Sequence, residues 1–500
     1  MIASWILKFL EWRCGSSQLL SFCNLCFACG FVVVYLLSPD IYLVSPIIFF
    51  LFLAFFMQNH IILRYSEDYP FFLVTGFFLT FFYLPRSITI FFSDYLNANS
   101  VLNRLTQVET IHFSDTIVII LVMNFFLYFG FCFRKTGFAG LLLFNRSNFQ
   151  SQFSGSETLA ALVVAIFAVA LSFAPFDRAS NLQELCRYLL NRENAIYFLL
   201  LVAIISFRSG GPKYLFYLAV FFALAVAALN MLGGSRKSIF DLALVTWFIL
   251  LSIGIKKIPL KWFLIFLVVC FFSVLLYPSV SRIRALIYGG EPVHFFELFM
   301  YPGYPKGIEG LFSLIRFYYA PIFDRVSFFD FSLDAIKNKD SYSQIINFPY
   351  LLKSLIDGLT PGFDVFGVAK ISNALSGIYK GEMLSFSRIS EAQYSSDQFG
   401  MFGFFFVLFG LPASCVIIMA ICAAISSAWI ASSGVSNEIF RTLMRFFMIL
   451  QFSRLFNSYG LDWDIIYTVL DICSYGLLLG LFCLVNTSIR LFGSVLSKKN

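Results

Sequence analysis

Blocks of about 20 apolar residues, divided by short polar connections, recur along most of the chain, and this is the length a helix needs to cross a hydrocarbon core. Twelve segments fit: 17–37, 41–63, 70–92, 114–133, 158–176, 195–207, 213–230, 238–255, 260–277, 399–426, 440–458 and 465–486. They are too long and too continuously apolar for barrel strands, whose side chains alternate between lipid and lumen. Inside lipid every backbone polar group needs an internal partner, which leaves helices. The expected fold class is therefore all-α, a polytopic integral membrane protein of about 12 spanning helices.

The rhythm breaks over 278–397. Turn signals stand in YPGYPKG (301–307) and LTPGFD (359–364), between moderately apolar helical pieces at 310–323 and 346–356. Near-balanced charge and many aromatics argue against a disordered linker, so a folded cap of short helices is expected, partly immersed in the membrane interface. The chain thus divides into an N-terminal bundle (1–277), a cap loop (278–397) and C-terminal spanning helices (398–500).

Composition sharpens this reading. Of 500 residues, 59% are hydrophobic and only 13% charged, where a soluble chain carries roughly a quarter charged. Mean hydropathy is +0.83. The net charge of +7 does not indicate nucleic acid, because the basic residues are scattered between spans. It serves as a topology signal instead. With the N-terminus inside, sixteen Lys and Arg fall in cytoplasmic connections and eight in short outer ones, the other eleven of the 35 lying in the long loop. Both termini are then cytoplasmic and the cap faces outward. Most of the eleven cysteines lie in apolar spans. Cys23, Cys26 and Cys29 are read as helix-packing residues, Cys186 stands alone in an outer loop, and no outer disulfide is expected. The first span, after Lys8, Glu11 and Arg13, shows no cleavage pattern and is read as retained.

Candidate chemistry gathers on the outer face. In MLGGSRKSIFDLALVTWFIL (231–250), two glycines end one span and Ser235, Arg236 and Lys237 open the next. A helix starting there turns free N–H groups outward, as phosphate oxygens require, with Arg236 adding a forked donor and Lys237 a point charge. The alternative is that both cations snorkel to headgroups. Arg282 and Arg284 follow a span in SVSRIRALIYGG (279–290), and Arg316 and Arg325 stand among aromatics and the acids Asp324 and Asp330. Each is a candidate for binding pyrophosphate or substrate, or a local cap ion pair. In SRISEAQYSSDQFGMFGFFFVLFGLP (387–412), Glu391, Tyr394 and Asp397 lead into a Gly- and Phe-rich span, where a carboxylate can serve as general base. His294 is a further candidate base in the cap, although a lone histidine is more often a packed one. There is no H-E-x-x-H, P-loop or G-x-S-x-G element. No metal site and no cofactor are expected.

These features resemble the Wzy-type O-antigen or oligosaccharide repeat-unit polymerases of bacterial inner membranes. The GGSRKS element opening a span, the many-span layout, the late outer loop and the SSDQFGMFGFF re-entry carry the resemblance. It implies an enzyme, a glycosyltransferase in the inner membrane with the loop in the periplasm. Its substrate would be a polyprenyl-pyrophosphate-linked oligosaccharide, joined to another lipid-linked repeat unit in surface-polysaccharide (lipopolysaccharide) synthesis, alongside a chain-length regulator and a flippase. Arg236 matches the family's Ser-Arg element; Glu391, Asp397 or His294 would activate the acceptor hydroxyl. The related ligases carry a His just before the late re-entry, and EAQYSSDQFG has none. The Arg-x10-Gly loop motif of some polymerases is also missing, since Arg388 and Gly400 are one residue too far apart. Competing readings are a lipid-linked oligosaccharide transporter, which calls for polar residues at mid-membrane depth such as Asn124, Asp241 and Asp471; another polyprenyl-phosphate-dependent glycosyltransferase; and a non-catalytic assembly subunit.

Overall fold

A computed structural model of the chain describes residues 13–37, 46–65, 69–91, 110–132, 155–173, 189–232, 238–255, 257–259, 328–359, 365–368, 371, 374, 400–456 and 461–497. Among them the protein is helical, apart from one antiparallel pair in which Arg13–Gly15 (β1) meets Lys257–Pro259 (β2). Helices occupy eleven of the twelve expected segments; 260–277 lies outside the described residues.

The N-terminal helices are α1 (Ser16–Leu37), α2 (Pro46–Tyr65), α3 (Pro70–Phe78) and α4 (Leu84–Phe91), the last two joined by a π-helical turn, Leu79–Tyr83. There follow α5 (Thr110–Cys132), α6 (Gly155–Phe173), α7 (Arg192–Arg208), α8 (Lys213–Leu232) and α9 (Ser238–Ile253). Starts are set by local chemistry. Pro46 and Pro70 open α2 and α3, where the missing N–H costs nothing. The Asn191 side chain accepts from the Glu193 N–H at 2.9 Å and caps α7, which is why that helix is longer than the apolar run 195–207 that marks it. Among the described residues, six helices are long and apolar enough to cross a membrane: Ser16–Leu37, Pro46–Arg64, Phe113–Cys132, Lys213–Asn230, Met401–Ser432 and Asp464–Leu491. Pro70–Tyr83, Ser156–Ser172 and Asp241–Ile253 are shorter apolar helices.

Large apolar side chains point out of the bundle along these helices, among them Phe22, Ile47, Phe50, Tyr214, Phe221 and Leu484, each more than 60% exposed. Water would not tolerate so much apolar surface, and lipid does. The chain is a membrane protein. In α6 the division is plain. Ala160, Ala161, Ala165 and Ala168 are fully buried, while Leu159, Val163 and Ile166 face out. Small residues let α6 approach α7 and α15 (Leu461–Ser497) closely, and tight packing is what holds helices together where no hydrophobic force acts between them. Cys26 and Cys29 face outward and only Cys23 is partly buried, so the packing expected of the first-span cysteines does not hold for Cys26 and Cys29.

Three short helices of the loop region are described: α10 (Phe328–Lys337), α11 (Lys339–Ile345) and α12 (Phe348–Leu359). They sit at one end of the bundle, the loop end. Phe329 packs on Phe113 at the start of α5, with ring centres 5.2 Å apart, and Ser354 of α12 reaches Asp462 at the start of α15. Asp334 accepts from the Asn338 amide at 2.8 Å and from the Tyr342 hydroxyl, joining α10 to α11, and burial pushes its pKa up.

The helix α13 (Met401–Ser432) is two helices in one. Gly410 adopts φ +70°, ψ 172°, and Pro412 follows. Ser414 donates 2.7 Å to the Phe405 carbonyl, nine residues back. In a straight helix those residues would be about 13 Å apart along the axis, so the chain turns sharply at Gly410. Met401 to Val407 are buried all round. This half-helix lies against α10, where Gly403 stands so close that a Cβ would be 2.9 Å from the Ser332 Cα. The expected single span 399–426 is therefore a buried half-helix followed by a membrane-length one.

At the opposite end, Arg445 of α14 (Glu438–Phe456) donates to Ser432 and Ser433 and lies over the Trp429 ring, while Arg490 pairs with Glu157. Between the ends runs a core of phenylalanine. Phe71 contacts Phe131, Trp429 and Phe452, and Phe78 stacks on Phe456 at 5.1 Å. α5 and α13 approach each other closely, and a Cβ on Gly130 would lie 2.5 Å from the Met419 carbonyl oxygen. Gly130→Ala is therefore expected to lower the thermal midpoint in detergent by the equivalent of about 1–3 kcal/mol. An unchanged midpoint would show that the two helices separate at no cost.

Candidate functional site

All ten residues singled out for chemistry (Arg236, Lys237, Arg282, Arg284, His294, Arg316, Arg325, Glu391, Tyr394 and Asp397) lie outside the described residues. What is described is the scaffold on which several of them are strung. Helix α9 follows Lys237 directly in sequence, and the half-helix at Met401 follows Asp397 after three residues.

Beside α9, three helices meet on one carboxylate. Asp471 of α15, 5% exposed in its side chain, is ion-paired to Arg454 of α14. It also accepts from the Gln451 amide at 2.9 Å and from the Asn194 amide of α7 at 2.8 Å. Asn194 lies 3.2 Å from the Ser474 hydroxyl, and Thr468 donates to Gln451 at 2.8 Å. Asp241, in the first turn of α9, is within electrostatic reach of Tyr197, one turn along α7 from Asn194. The Tyr475 hydroxyl is buried one turn beyond Asp471, with no hydrogen-bond partner among the described residues.

The chemistry follows from who is satisfied. A carboxylate in a low-dielectric interior keeps its charge only with strong donors around it, and Asp471 has three, one of them cationic. Engaged on both oxygens, it holds and aims Arg454. The guanidinium is 28% exposed and lies over the Tyr467 ring, 5.7 Å from the centroid. A fork of five N–H groups with one acceptor in Asp471 retains donors for an anion. In the sequence Asp471 stands among the few mid-membrane polar residues, with nothing to mark Arg454 as its partner.

A second carboxylate, Asp462, is fully buried in the first turn of α15 and fastens the loop. Its Oδ2 accepts from the Ser354 hydroxyl at 2.6 Å and from the Ile371 N–H at 3.1 Å. Asp357 in turn accepts from the N–H groups of Phe366 and Val368 at 2.8 and 3.0 Å. A third polar group lies within the bundle. Asn59 donates to Asn24 and to Thr80 in the π-helical turn, both at 2.8 Å, and Asn124 donates to Gln58 at 2.8 Å. Such amide bonds bind membrane helices to one another, and π-turns recur at working sites. Lys339 completes the loop-end cations, its Nζ 5.1 Å from the Phe406 ring centre and beside Gly410.

No family model, curated protein or solved structure matches the chain. Among the described residues no group of three or more His, Cys, Asp or Glu is placed to hold a metal ion.

Hydrogen bonds to a charged group contribute about 1.5–3 kcal/mol each, so Asp462→Ala is expected to raise amide exchange in α12 and around Ile371 by tenfold or more while α5 and α14 stay protected. Unchanged exchange in α12 would mean that other contacts hold the loop.

Proposed function

We propose that the protein polymerises polyprenyl-pyrophosphate-linked oligosaccharide repeat units into a surface polysaccharide, acting in the bacterial inner membrane with its long loop in the periplasm. The observation that carries the reading is the Arg454 guanidinium, 28% exposed and held by Asp471, on the helix α14 that packs against α9. Arg236 and Lys237 immediately precede that helix in sequence. Glycosyl transfer from a pyrophosphate carrier needs fixed positive charge where the leaving oxygens gain charge. The acceptor hydroxyl of one repeat unit attacks the anomeric carbon of another. The bond to pyrophosphate breaks, polyprenyl pyrophosphate leaves with the electron pair, and the hydroxyl proton passes to a base, for which Glu391, Asp397 and His294 are the candidates. In this account Arg236 and Arg454 stabilise the departing pyrophosphate, with Lys237, Arg282, Arg284, Arg316 and Arg325 as further cations and Tyr394 on the sugar. Both termini would be cytoplasmic, and a flippase and a chain-length regulator would act before and beside it.

Two polar groups inside the bundle, Asn24–Asn59–Thr80 and the Asn124–Gln58 pair, favour a second reading, a transporter of the same lipid-linked glycan.

Purified protein incubated with the lipid-linked repeat unit of its host should give a glycan ladder. Arg236→Ala should reduce it by about 100-fold or more without changing the protein's elution or thermal midpoint. If the wild type yields no ladder but moves the glycan across liposomes, the protein is a transporter. If Arg236→Ala polymerises normally, the phosphate role of that residue is wrong.

A further inference from the structure

The circumference of α12 is divided three ways. Leu351 and Ser354 are buried, and Gly358 is pressed against α15, where a Cβ would meet the Ile466 side chain at 2.1 Å. Lys353 and Asp357 occupy a polar arc, Lys353 lying over the Phe366 ring at 6.0 Å and Asp357 accepting two backbone N–H groups. The third arc is apolar and open: Phe348 is 53% exposed, Leu352 46%, Ile356 42% and Leu359 46%. At about 100° per residue these four fall within roughly 80° of arc. Ile345 in the preceding helix is exposed as well, as are Val365 and Phe366 beside the polar arc.

A bare stripe of this kind needs a cover, and the neighbouring helix indicates which. α15, to which α12 is fastened by Asp462 and by the Gly358–Ile466 contact, exposes Ile465, Val469 and Ile472 along its own membrane-length stretch. α12 is thereby packed on the start of a helix whose exposed side faces lipid, and its open apolar arc lies about 120° round the helix from the polar one. We propose that α12 is an interfacial helix, lying at the membrane boundary with Phe348, Leu352, Ile356 and Leu359 in the acyl region and Lys353 and Asp357 toward water. Helices with an apolar face and a charged opposite face bind membranes in this way. The Asp462 contacts would fix its depth, so that the loop end rests on the bilayer as well as on the bundle. The inference does not depend on polymerase activity, since lipid contact is read without turnover.

The full chain, reconstituted in phosphatidylethanolamine–phosphatidylglycerol liposomes, would carry the photoreactive residue p-benzoylphenylalanine at position 348, 352, 359 or 353 in turn. Phospholipid adducts, identified by mass, should be about tenfold more abundant at the three stripe positions than at 353. Equal yields at all four positions, or no lipid adduct at the stripe, would overturn the proposal. Crosslinking of the stripe to a second copy of the chain would also overturn it and assign the face to self-association. Reading three stripe positions separately protects the result against one variant that fails to fold.

Discussion

A negative charge buried among membrane helices must be answered on every side, and the loop half of this bundle is organised around meeting that requirement at Asp471. Arg454 and Gln451 reach it from α14 and Asn194 from α7, so that α7 is tied to the α14–α15 pair across a sequence separation of 277 residues. Dispersion packing alone leaves membrane helices free to slide and rotate, because lipid tails are as apolar as leucine. A three-donor carboxylate removes that freedom, since any shift strands a charge. The loop uses the same device one level up, where Asp462 gathers Ser354 and the Ile371 N–H onto the start of α15.

Aromatic packing fills the space that these polar fastenings fix. Phe71, Phe131, Phe452 and Trp429 interlock α3, α5, α13 and α14, and Phe456 links that cluster to Phe78 and to Phe402 of the buried half-helix. Edge-to-face and stacked rings fill irregular volumes with few rotamers, which suits a bundle containing a sharp turn and a π-turn. The turn at Gly410, itself half-buried, is tolerated because the Ser414 hydroxyl lies within donating distance of both the Phe405 and the Gly410 carbonyl and can satisfy either, and Lys339 lies alongside. Broken helices persist at membrane depth where protein, not lipid, surrounds them.

Runs of apolar residues made the helices legible because a span has a physical length, and proline and capping residues corrected their starts at Pro46 and Asn191. The FGLP sequence at 409–412 carried the signal for the turn in α13, hidden by the unbroken hydrophobicity around it. The Asp471 fastening was not legible. A symmetric hairpin would set Arg454 opposite the first turn of α15, whereas its partner lies about three turns in; only the relative tilt and stagger of the helices bring the two together. The candidate residues of the Ser-Arg element, the cap and the re-entry fall outside the described residues, and the functional reading rests on their sequence together with the Arg454 site beside α9.

Arg454 and Asp471 act as one unit in the bundle. A double-mutant cycle with Arg454→Leu, Asp471→Leu and the pair together, followed by unfolding in bicelles, tests it directly. Either single change should destabilise by about 3–5 kcal/mol, because it leaves the partner charge unanswered, and the double change should recover most of that loss. Additive losses would contradict the claim and leave the two residues as independent neighbours.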